Sequence, residues 1–309
     1  MSVLLVPDGL EGERVDVAAT RMTGLSRSRI ADHIAAGRVR LDGVVVDKAS
    51  GRVRAGQMLD VDEMNAPVVN LTPRLADGVT IVHLDASLVV VDKPAGVAAH
   101  PSLGWDGPDV VTHLAGAGIT VATAGPPERA GIVQRLDVGT SGLMVVARED
   151  GAYSNLKAQF RAHTVTKIYH AVAQGHPDPP AGTIDAPIAR APGSQWRFAV
   201  RTEGRASVTH YETLELMRGA SLLRLRLETG RTHQIRVHLS AIRHPLVGDM
   251  TYGADPVLAS RVGLERQWLH AVELGFVHPA TGRPVSFVSA PADDLARALQ
   301  VLSAGGVAE

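Results

Sequence analysis

The chain has 309 residues, of which 45% are hydrophobic, and its 31 lysines and arginines nearly balance its 32 acidic residues. This length allows a large and a small domain with a sizeable core. A formal net charge of −1 provides no general attraction to a polyanion, so binding to nucleic acid requires a local basic cluster. Cysteine is absent, which excludes disulfides and thiolate metal sites.

The N-terminal segment bears on localisation. Its first residues, MSVLLVPDGLEGERVD, have no basic region and only a short apolar run, so they do not read as a secretory signal peptide. No apolar run in the sequence is long enough to predict a membrane-spanning helix. Together with the absence of cysteine, these features lead us to expect a cytoplasmic protein with no membrane partner.

A cluster of arginines lies near the N-terminus. Between residues 21 and 40 there are five arginines and one acidic residue, Asp32. The sequence RSRIADHIAAG predicts a short helix that is capped by Ser26 and ends at Gly37. Arginines on this helix and at its exit suit contacts with a phosphate backbone. The alternative interpretation is a solvated helix face with scattered charges.

A hairpin and a further strand follow this helix. RVRLDGVVV predicts a hairpin turned at Asp42-Gly43, and another strand is predicted near residues 58–61. Over residues 12–63, the stretch around LSRSRIADHIAAGRVRLDG resembles the S4-type RNA-binding module. The resemblance implies a small N-terminal α/β RNA-binding domain. We predict that four arginines of this domain contact RNA: Arg27, Arg29, Arg38 and Arg40.

The remaining sequence predicts a linker and a larger domain. Residues 64–78, MNAPVVNLTPRLADG, have two prolines and little periodicity, which indicates a linker. From there, many short β-type runs predict a domain over residues 79–300. Two helices are expected within it, SNLKAQFRAH from a Ser154 cap and THQIRVHLSAIRHP from a Thr232 cap. Runs of strands with inserted helices indicate the α+β class.

Signatures of cofactor and metal sites are missing from the sequence. There is no Gly-x-Gly-x-x-Gly after a strand, no Gly-x-x-x-x-Gly-Lys-Ser/Thr and no Gly-x-Ser-x-Gly. The 13 histidines are scattered, and His233 and His238 are too far apart for a helical zinc pair. We therefore expect neither a cofactor nor a metal.

Four polar segments interrupt the apolar strands of the larger domain. They are VVVDKPAGVAAHPS at 89–102, VQRLDVGTSGLMVV at 133–146, TKIYHAVAQG at 166–175 and ETGRTHQIRVHLSAIRHPLVGDMTYG at 228–253. In order and spacing they resemble the motifs of the RluA/RluD family of RNA pseudouridine synthases, over residues 79–290. The resemblance implies an isomerase that uses no cofactor, with a mixed, mainly antiparallel β-sheet in its catalytic domain.

The resemblance also implies roles for individual residues. Asp137 would be the catalytic aspartate, and Arg135 would occupy the place in the RNA that the flipped uridine leaves. Tyr169 would lie against the target base, and Arg236 would pair with the aspartate.

The chemistry of the reaction explains these residue types. Pseudouridine formation breaks the N1–C1′ bond of uridine and rejoins the uracil through C5, so no group is gained or lost. One carboxylate near C1′ can act as a nucleophile or as a base, and the sequence leaves this choice open. An arginine stabilises the ionised carboxylate. Extruding the uridine costs about a few kcal/mol, and stacking on an aromatic ring returns about 1–3 kcal/mol.

Other positions in these motifs have two interpretations. Lys93 in DKPAG is predicted to contact phosphate, or to belong to a structural turn. Arg231 is predicted to contact RNA, or to be a surface charge. Gln134 stands where the family usually has histidine, which puts a catalytic role of that position in doubt. The loop 191–200 lacks the basic run that many relatives carry, so the RNA target is left open.

We expect the protein to be a monomeric RNA pseudouridine synthase acting on large-subunit ribosomal RNA, with transfer RNA as the second choice. One alternative is a non-catalytic RNA-binding or ribosome-assembly factor on the same fold. A binder has no need of a carboxylate where phosphates approach, so the set Asp137, Tyr169 and Arg236 favours the enzyme. A glycosidic hydrolase is the other alternative, but the motifs lack a fitting second acid.

Overall fold

The computed structural model describes residues 2–25, 27–62, 72–101, 105–125, 129–194 and 196–304. Their contacts form two compact units. The N-terminal unit comprises residues 1–70 with 125–127, and the large unit comprises residues 71–124 and 128–309. Each unit has its own hydrophobic core.

The N-terminal unit is a small sheet with two helices. Its elements are β1 Ser2–Leu5, α1 Val15–Thr23, α2 Arg27–Ala35, β2 Val39–Leu41, β3 Val44–Val45 and β4 Met58–Val61. The described strands pair antiparallel in the order β1-β4-β2-β3. Val15, Ile30 and Leu59 are fully buried and join the helices to the sheet.

The hairpin and the further strand predicted for this unit are confirmed. The hairpin turns at Asp42-Gly43, where φ is 50° at Asp42 and 81° at Gly43, as expected for the tight turn that matches the twist of a hairpin. The strand near residues 58–61 is β4. The predicted cap Ser26 lies outside the described residues.

The large unit has eleven strands and five helices among its described residues. The strands are β5 Thr80–Leu84, β6 Leu88–Lys93, β7 Ser141–Ala147, β8 Thr166–Gln174, β9 Ala181–Asp185, β10 Ile188–Arg190, β11 Phe198–Val200, β12 Val208–Met217, β13 Ala220–Leu227, β14 Leu269–Val277 and β15 Pro284–Val288. The helices are α3 Val110–Gly116, α4 Asp150–Arg161, α5 Gln234–Ala241, α6 Pro256–Arg261 and α7 Asp293–Ala304.

One sheet dominates this unit. Nine described strands form it, in the order β5-β6-β7-β14-β8-β13-β12-β9, with β15 also paired to β14. Its pairings are antiparallel except for the parallel pair β7–β14. The strands β10 and β11 form a separate antiparallel hairpin. This arrangement confirms the predicted α+β class with a mixed, mainly antiparallel sheet.

Helices cover both faces of the sheet. In β6, Val89 and Val91 join a buried cluster with α3 and α5, whereas Leu88 and Val90 join a cluster with α4. Successive residues of a strand point to opposite faces, so β6 is buried on both sides and reads as a continuous apolar run. None of the described helices is both long enough and apolar enough to span a membrane.

Two helix starts differ from the sequence predictions. α4 begins at Asp150, after Glu149, so Ser154 lies inside the helix instead of capping it. An acidic residue in the first turn interacts favourably with the helix dipole, which explains the earlier start. α5 begins after His233, which has a left-handed φ of 56°, and Thr232 is therefore not its cap.

The segment predicted to be a linker is only partly described. Its residues 64–71 lie outside the described part of the chain, and those from 72 onwards contact the large unit. The amide of Arg74 donates to the Thr112 carbonyl at 3.0 Å, and the amide of Ala76 donates to His113 Nδ1 at 3.0 Å. The second half of this segment is thus held against α3.

Candidate active site

The segment that contains Asp137 leads directly into β7. Gly142, near the start of this strand, has a φ of +113°, and a Cβ there would lie 2.4 Å from the Ala271 carbonyl oxygen in β14. Glycine permits this close approach because it has no Cβ. The neighbouring strand therefore explains why glycine stands at position 142.

Four side chains hold the loop formed by residues 138–141. The contacts are Lys93 Nζ to the Val138 carbonyl at 3.4 Å, Arg266 Nη1 to the Gly139 carbonyl at 2.9 Å, Gln267 Nε2 to Thr140 Oγ1 at 3.1 Å, and Ser141 Oγ with His270 Nδ1 at 2.9 Å. Four successive residues are thereby fastened immediately after Asp137. The backbone that carries this carboxylate is fixed from one side.

Asp137 and Arg236 meet as the resemblance implied. Arg236 Nη1 donates to Asp137 Oδ2 at 3.2 Å, and the Asp137 side chain is 23% exposed. The same guanidinium forms a fork with Asp249, through Nε to Oδ2 at 2.7 Å and Nη2 to Oδ1 at 2.9 Å. One arginine therefore bridges a buried carboxylate and a carboxylate that reaches solvent.

Burial and charge act in opposite directions on Arg236. Burial lowers the pKa of Arg236, but the hydrogen bonds and charge of Asp249, followed by the charge of Asp137, outweigh it and raise the pKa above its usual range. The guanidinium also lies over the Tyr252 ring, with Cζ 4.9 Å from the ring centroid. Such cation–π contact adds to its stabilisation. Arg236 is therefore a permanent positive charge beside Asp137.

His233 lies on another side of Asp137. Its Nε2 is 3.9 Å from Asp137 Oδ2, and its Nδ1 is 2.8 Å from Tyr252 Oη. Tyr252 Oη accepts the amide of Phe198 at 3.1 Å, so it is free to donate its own proton to His233 Nδ1. That tautomer directs the His233 Nε2 proton towards Asp137. Burial lowers the pKa of His233 despite the Asp137 charge, which favours the neutral ring.

Tyr169 lies in the same row of the sheet as the start of β7. Ala271 in β14 is paired with Gly142 on one side and with Tyr169 in β8 on the other. Burial, and secondarily the charge of Asp137, raise the pKa of Tyr169 above its usual range. A neutral, buried ring at this position has the properties needed to support a base beside Asp137.

Arg135 is exposed, in contrast to Arg236. Its Nη2 donates to Thr232 Oγ1 at 3.2 Å, so the predicted cap residue of α5 contacts this arginine instead. Arg135 lies two residues before Asp137 and extends towards solvent. Its exposure is compatible with the predicted insertion into RNA.

The predicted contact between Lys93 and phosphate does not fit the structure. Lys93 is 0% exposed, and its ammonium group donates to the carbonyls of Pro94 at 2.9 Å and Val97 at 2.7 Å, in addition to Val138. Burial lowers its pKa to about 7. The lysine is enclosed by the turn that it holds together, which is the alternative interpretation of DKPAG.

Comparisons with known proteins identify the family. A family model described as RNA pseudouridylate synthase matches residues 87–241. An uncharacterized RNA pseudouridine synthase of Mycobacterium bovis is 55% identical over 303 residues, covering 97% of this chain and 98% of that protein. The chain belongs to the RNA pseudouridine synthase family.

Two further similarities are informative. The ribosomal large subunit pseudouridine synthase D of Zymomonas mobilis is 39% identical over 286 residues, which are 89% of each chain. The solved structure of human RNA pseudouridylate synthase domain containing 4 aligns with a TM-score of 0.57 and 25% identity, covering 72% of this chain and 93% of that chain. The synthase is therefore an RNA uridine isomerase of the RluA/RluD type, which argues against the hydrolase alternative.

The other predicted RNA-contacting residues are spread over both units. Arg27 pairs with Asp16 at 2.9 Å, and Arg38 Nε donates to His33 Nδ1 at 3.0 Å. Arg40 is exposed in β2, and Arg231 is exposed and donates from Nε to the Ala206 carbonyl. The side chain of Arg29 lies outside the described part of the structure. RNA contact by these residues stays a prediction.

One cluster in the described part of the synthase could hold a metal ion, formed by His83, Asp85 and His278. His278 Nδ1 accepts the amides of Ala280 and Thr281, so in the neutral ring its proton lies on Nε2, which faces Asp85 Oδ2 at 2.8 Å. A metal ion would have to replace this proton. The geometry fits a hydrogen-bond network better than a metal site.

Several residues of the site were missed by sequence reasoning. Asp249 and Tyr252 contact Arg236, and Arg266 contacts the loop after Asp137, yet none of the three was singled out. Asp249 and Tyr252 belong to the fourth motif, GDMTYG, so their presence there was a signal. Arg266 lies outside the motifs, and no pattern in the sequence indicates its contact with Gly139.

Proposed function

We propose that this enzyme converts uridines of large-subunit ribosomal RNA to pseudouridine, with Asp137 as the reacting carboxylate. Arg236 pairs with the carboxylate and orients it, Tyr169 supports the target base, and Arg135 enters the RNA where the uridine has left. The observation that carries the assignment is the 3.2 Å ion pair between Asp137 and an arginine that is otherwise buried.

The proposed substrate has support from a relative. The protein from Zymomonas mobilis is called a large subunit enzyme in its name, and it aligns along most of both chains. Transfer RNA is the second candidate, because the large unit by itself contains nothing that excludes it. The N-terminal unit, proposed to be an S4-type RNA-binding domain over residues 12–63, would add affinity without chemistry.

The reaction needs an ionised carboxylate next to C1′ of an extruded uridine. As a nucleophile, Asp137 would attack C1′ while the N1–C1′ bond breaks, and its bond to C1′ would break again when C5 attacks. As a base, it would take a proton from C2′ of the sugar while the N1–C1′ bond breaks and return that proton to C2′ when C5 bonds to C1′. In either case the uracil turns, C5 bonds to C1′, the C5 hydrogen leaves to solvent and N1 gains a proton. The partial exposure of Asp137 gives a nucleotide access to the carboxylate, while Arg236 and Tyr169 are buried.

Replacement of Asp137 tests the proposal. Asp137→Asn keeps the shape of the side chain and removes its charge, so release of tritium from ribosomal RNA labelled at uracil C5 should fall to background. RNA binding should change by no more than a few-fold, because affinity comes mainly from phosphate contacts and stacking. Asp85→Asn serves as the control, since this carboxylate is also held by several donors but lies outside the site.

Each result has a defined meaning. Wild-type turnover by Asp137→Asn would refute the assignment of the reacting carboxylate. Tritium release by the wild-type enzyme from transfer RNA alone would replace the ribosomal substrate with the second candidate. The monomeric state and cytoplasmic location stay predictions, and sedimentation of the purified protein would test the first.

A further inference from the structure

Arg236 has three hydrogen bonds to carboxylates, and two of them go to Asp249. These two are also the shorter ones, at 2.7 and 2.9 Å against 3.2 Å to Asp137. The Asp249 side chain is 1% exposed, so its charge is removed from water and depends on this arginine. Asp249 is too enclosed to meet a nucleotide itself.

The backbone around Asp249 is fixed. The amide of Val247 donates to the Val172 carbonyl at 2.9 Å, and the Val247 carbonyl accepts the amide of Trp268 at 2.8 Å, so the segment lies between β8 and the chain that enters β14. Gly248 has a φ of +82°, and a Cβ there would lie 2.0 Å from the Arg266 carbonyl oxygen. Only glycine fits this position, and it sets the direction in which Asp249 projects.

The fork determines where the remaining donors of Arg236 point. A guanidinium is planar and rigid, so binding Nε and Nη2 to one carboxylate fixes the direction of Nη1. The Tyr252 ring lies against the plane at 4.9 Å and restricts rotation out of it. Nη1 is then the group offered to Asp137.

We propose that Asp249 is a positioning residue, which holds Arg236 so that a single N–H bond meets Asp137. The inference rests on the proposed role of Asp137. Because Nε and Nη2 of Arg236 are taken by Asp249, Asp137 is oriented by one longer hydrogen bond from Nη1 and is not enclosed in a fork of its own. A carboxylate that must react at C1′ benefits from an orienting contact that it can easily leave.

The first test separates binding from turnover. In Asp249→Asn, the amide nitrogen faces the N–H donors of Arg236, the fork is lost and Nη1 moves. A misplacement of about 1 Å can reduce a rate by about 100-fold, so we expect kcat to fall by roughly that factor while KM for ribosomal RNA stays within a few-fold. Asp85→Asn is the matched control and should keep the wild-type kcat.

The second test asks whether Asp249 acts through Arg236. Arg236→Ala leaves the Asp249 carboxylate buried and unpaired, so its Tm should fall. Adding Asp249→Asn removes that buried charge, so the double variant should have a higher Tm than Arg236→Ala. Its turnover should nevertheless equal that of Arg236→Ala, because the positioned group is already gone.

The outcomes distinguish this inference from the proposed function. An inactive Asp137→Asn beside an Asp249→Asn with wild-type kcat would overturn the inference alone, as would a further loss of kcat when Asp249→Asn is added to Arg236→Ala. An active Asp137→Asn would overturn the proposed function. If Asp249→Asn does not fold, Asp249→Glu keeps the charge and displaces the fork; wild-type kcat in that variant would also overturn the inference.

Discussion

The two units each contain a close arginine–aspartate pair, and the surroundings of the pairs differ. Arg236 and Asp249 in the large unit are 2.7 Å apart, and Arg27 and Asp16 in the N-terminal unit are 2.9 Å apart. Both carboxylates are nearly buried, at 1% and 7% exposure. The arginine side chains are 9% exposed at Arg236 and 58% exposed at Arg27.

The difference in arginine exposure is more informative than the pairing itself, because exposure decides which groups the guanidinium can still contact. An exposed guanidinium such as Arg27 keeps donors towards solvent, where a phosphate can reach them. A buried one such as Arg236 has its donors committed to protein carboxylates, and it can only orient them. The proposed contact with RNA and the orientation of the Asp137 carboxylate thus fall to arginines in different environments.

The largest expected effect is a loss of unfolding free energy, which we compare between variants of Arg236 and Arg27. Arg236→Ala leaves Asp249 unpaired, and breaking a buried pair in this way costs about 3–5 kcal/mol of unfolding free energy. Arg27→Ala breaks an exposed contact, and Asp16 keeps its fork with Arg14, so the loss should be below about 1 kcal/mol. Urea unfolding of both variants measures this difference. Equal losses would contradict the comparison.

Lys93 extends the comparison to a buried cation whose hydrogen bonds go to carbonyls. Its pKa in the folded protein is about 7, lowered by burial, whereas an unfolded lysine has a pKa of about 10.4. Between these values the unfolded state binds more protons, so wild-type stability should rise with pH, by at most about 1.4 kcal/mol per pH unit.

Lys93→Met removes this group and should remove the pH dependence that it causes. Below pH 7, both folded and unfolded wild type carry the charge, and Lys93 contributes no slope. The unfolding free energies of the two proteins are measured in urea from pH 7 to pH 9.5. Over this range the difference between them should change steadily in favour of the wild type. If the two plots of unfolding free energy against pH were parallel, burial would not lower the pKa of Lys93.

The smallest effect concerns the exposed arginines of the N-terminal unit. Arg40→Gln should reduce the slope of log Kobs against log salt concentration by about 1, if Arg40 contacts a phosphate. Arg38→Gln should reduce it less, because Nε of Arg38 is already bonded to His33. RNA binding measured over a range of salt concentrations tests both. Arg218 is an exposed arginine of the large unit, and Arg218→Gln is the control. A similar reduction of the slope in this variant would show that the arginines of the N-terminal unit are not distinguished in RNA binding.

The sequence predicted those features that depend on local pattern. The turn at Asp42-Gly43, the class of the sheet and the meeting of Asp137 with Arg236 were expected before the structure was known. The turn follows from turn chemistry and the α+β class from runs of strands with inserted helices, whereas the mixed, mainly antiparallel sheet was implied by the resemblance. The third was implied by the resemblance, because no local pattern joins residues that are 99 positions apart.

Other features depend on tertiary contacts that local pattern does not encode. The sequence left Lys93 as either a phosphate contact or a part of a structural turn, and only the structure shows that three carbonyls converge on its ammonium group and make burial possible. Asp249 looked like one more acid in a polar motif until its fork with Arg236 was visible. The start of α5 was wrongly predicted because His233 adopts a left-handed conformation, which is uncommon for residues other than glycine.

The loop of residues 138–141, fastened at each of its four residues, determines which partner must deform when RNA binds. A rigid loop does not follow its substrate into a helix, so under the proposed role of Asp137 the nucleotide has to travel to this carboxylate. The energy of that movement is smallest for a uridine that is weakly stacked or unpaired. We therefore expect the folding history of the RNA to influence which uridines react: a site that is open early in ribosome assembly becomes inaccessible once its helix has formed.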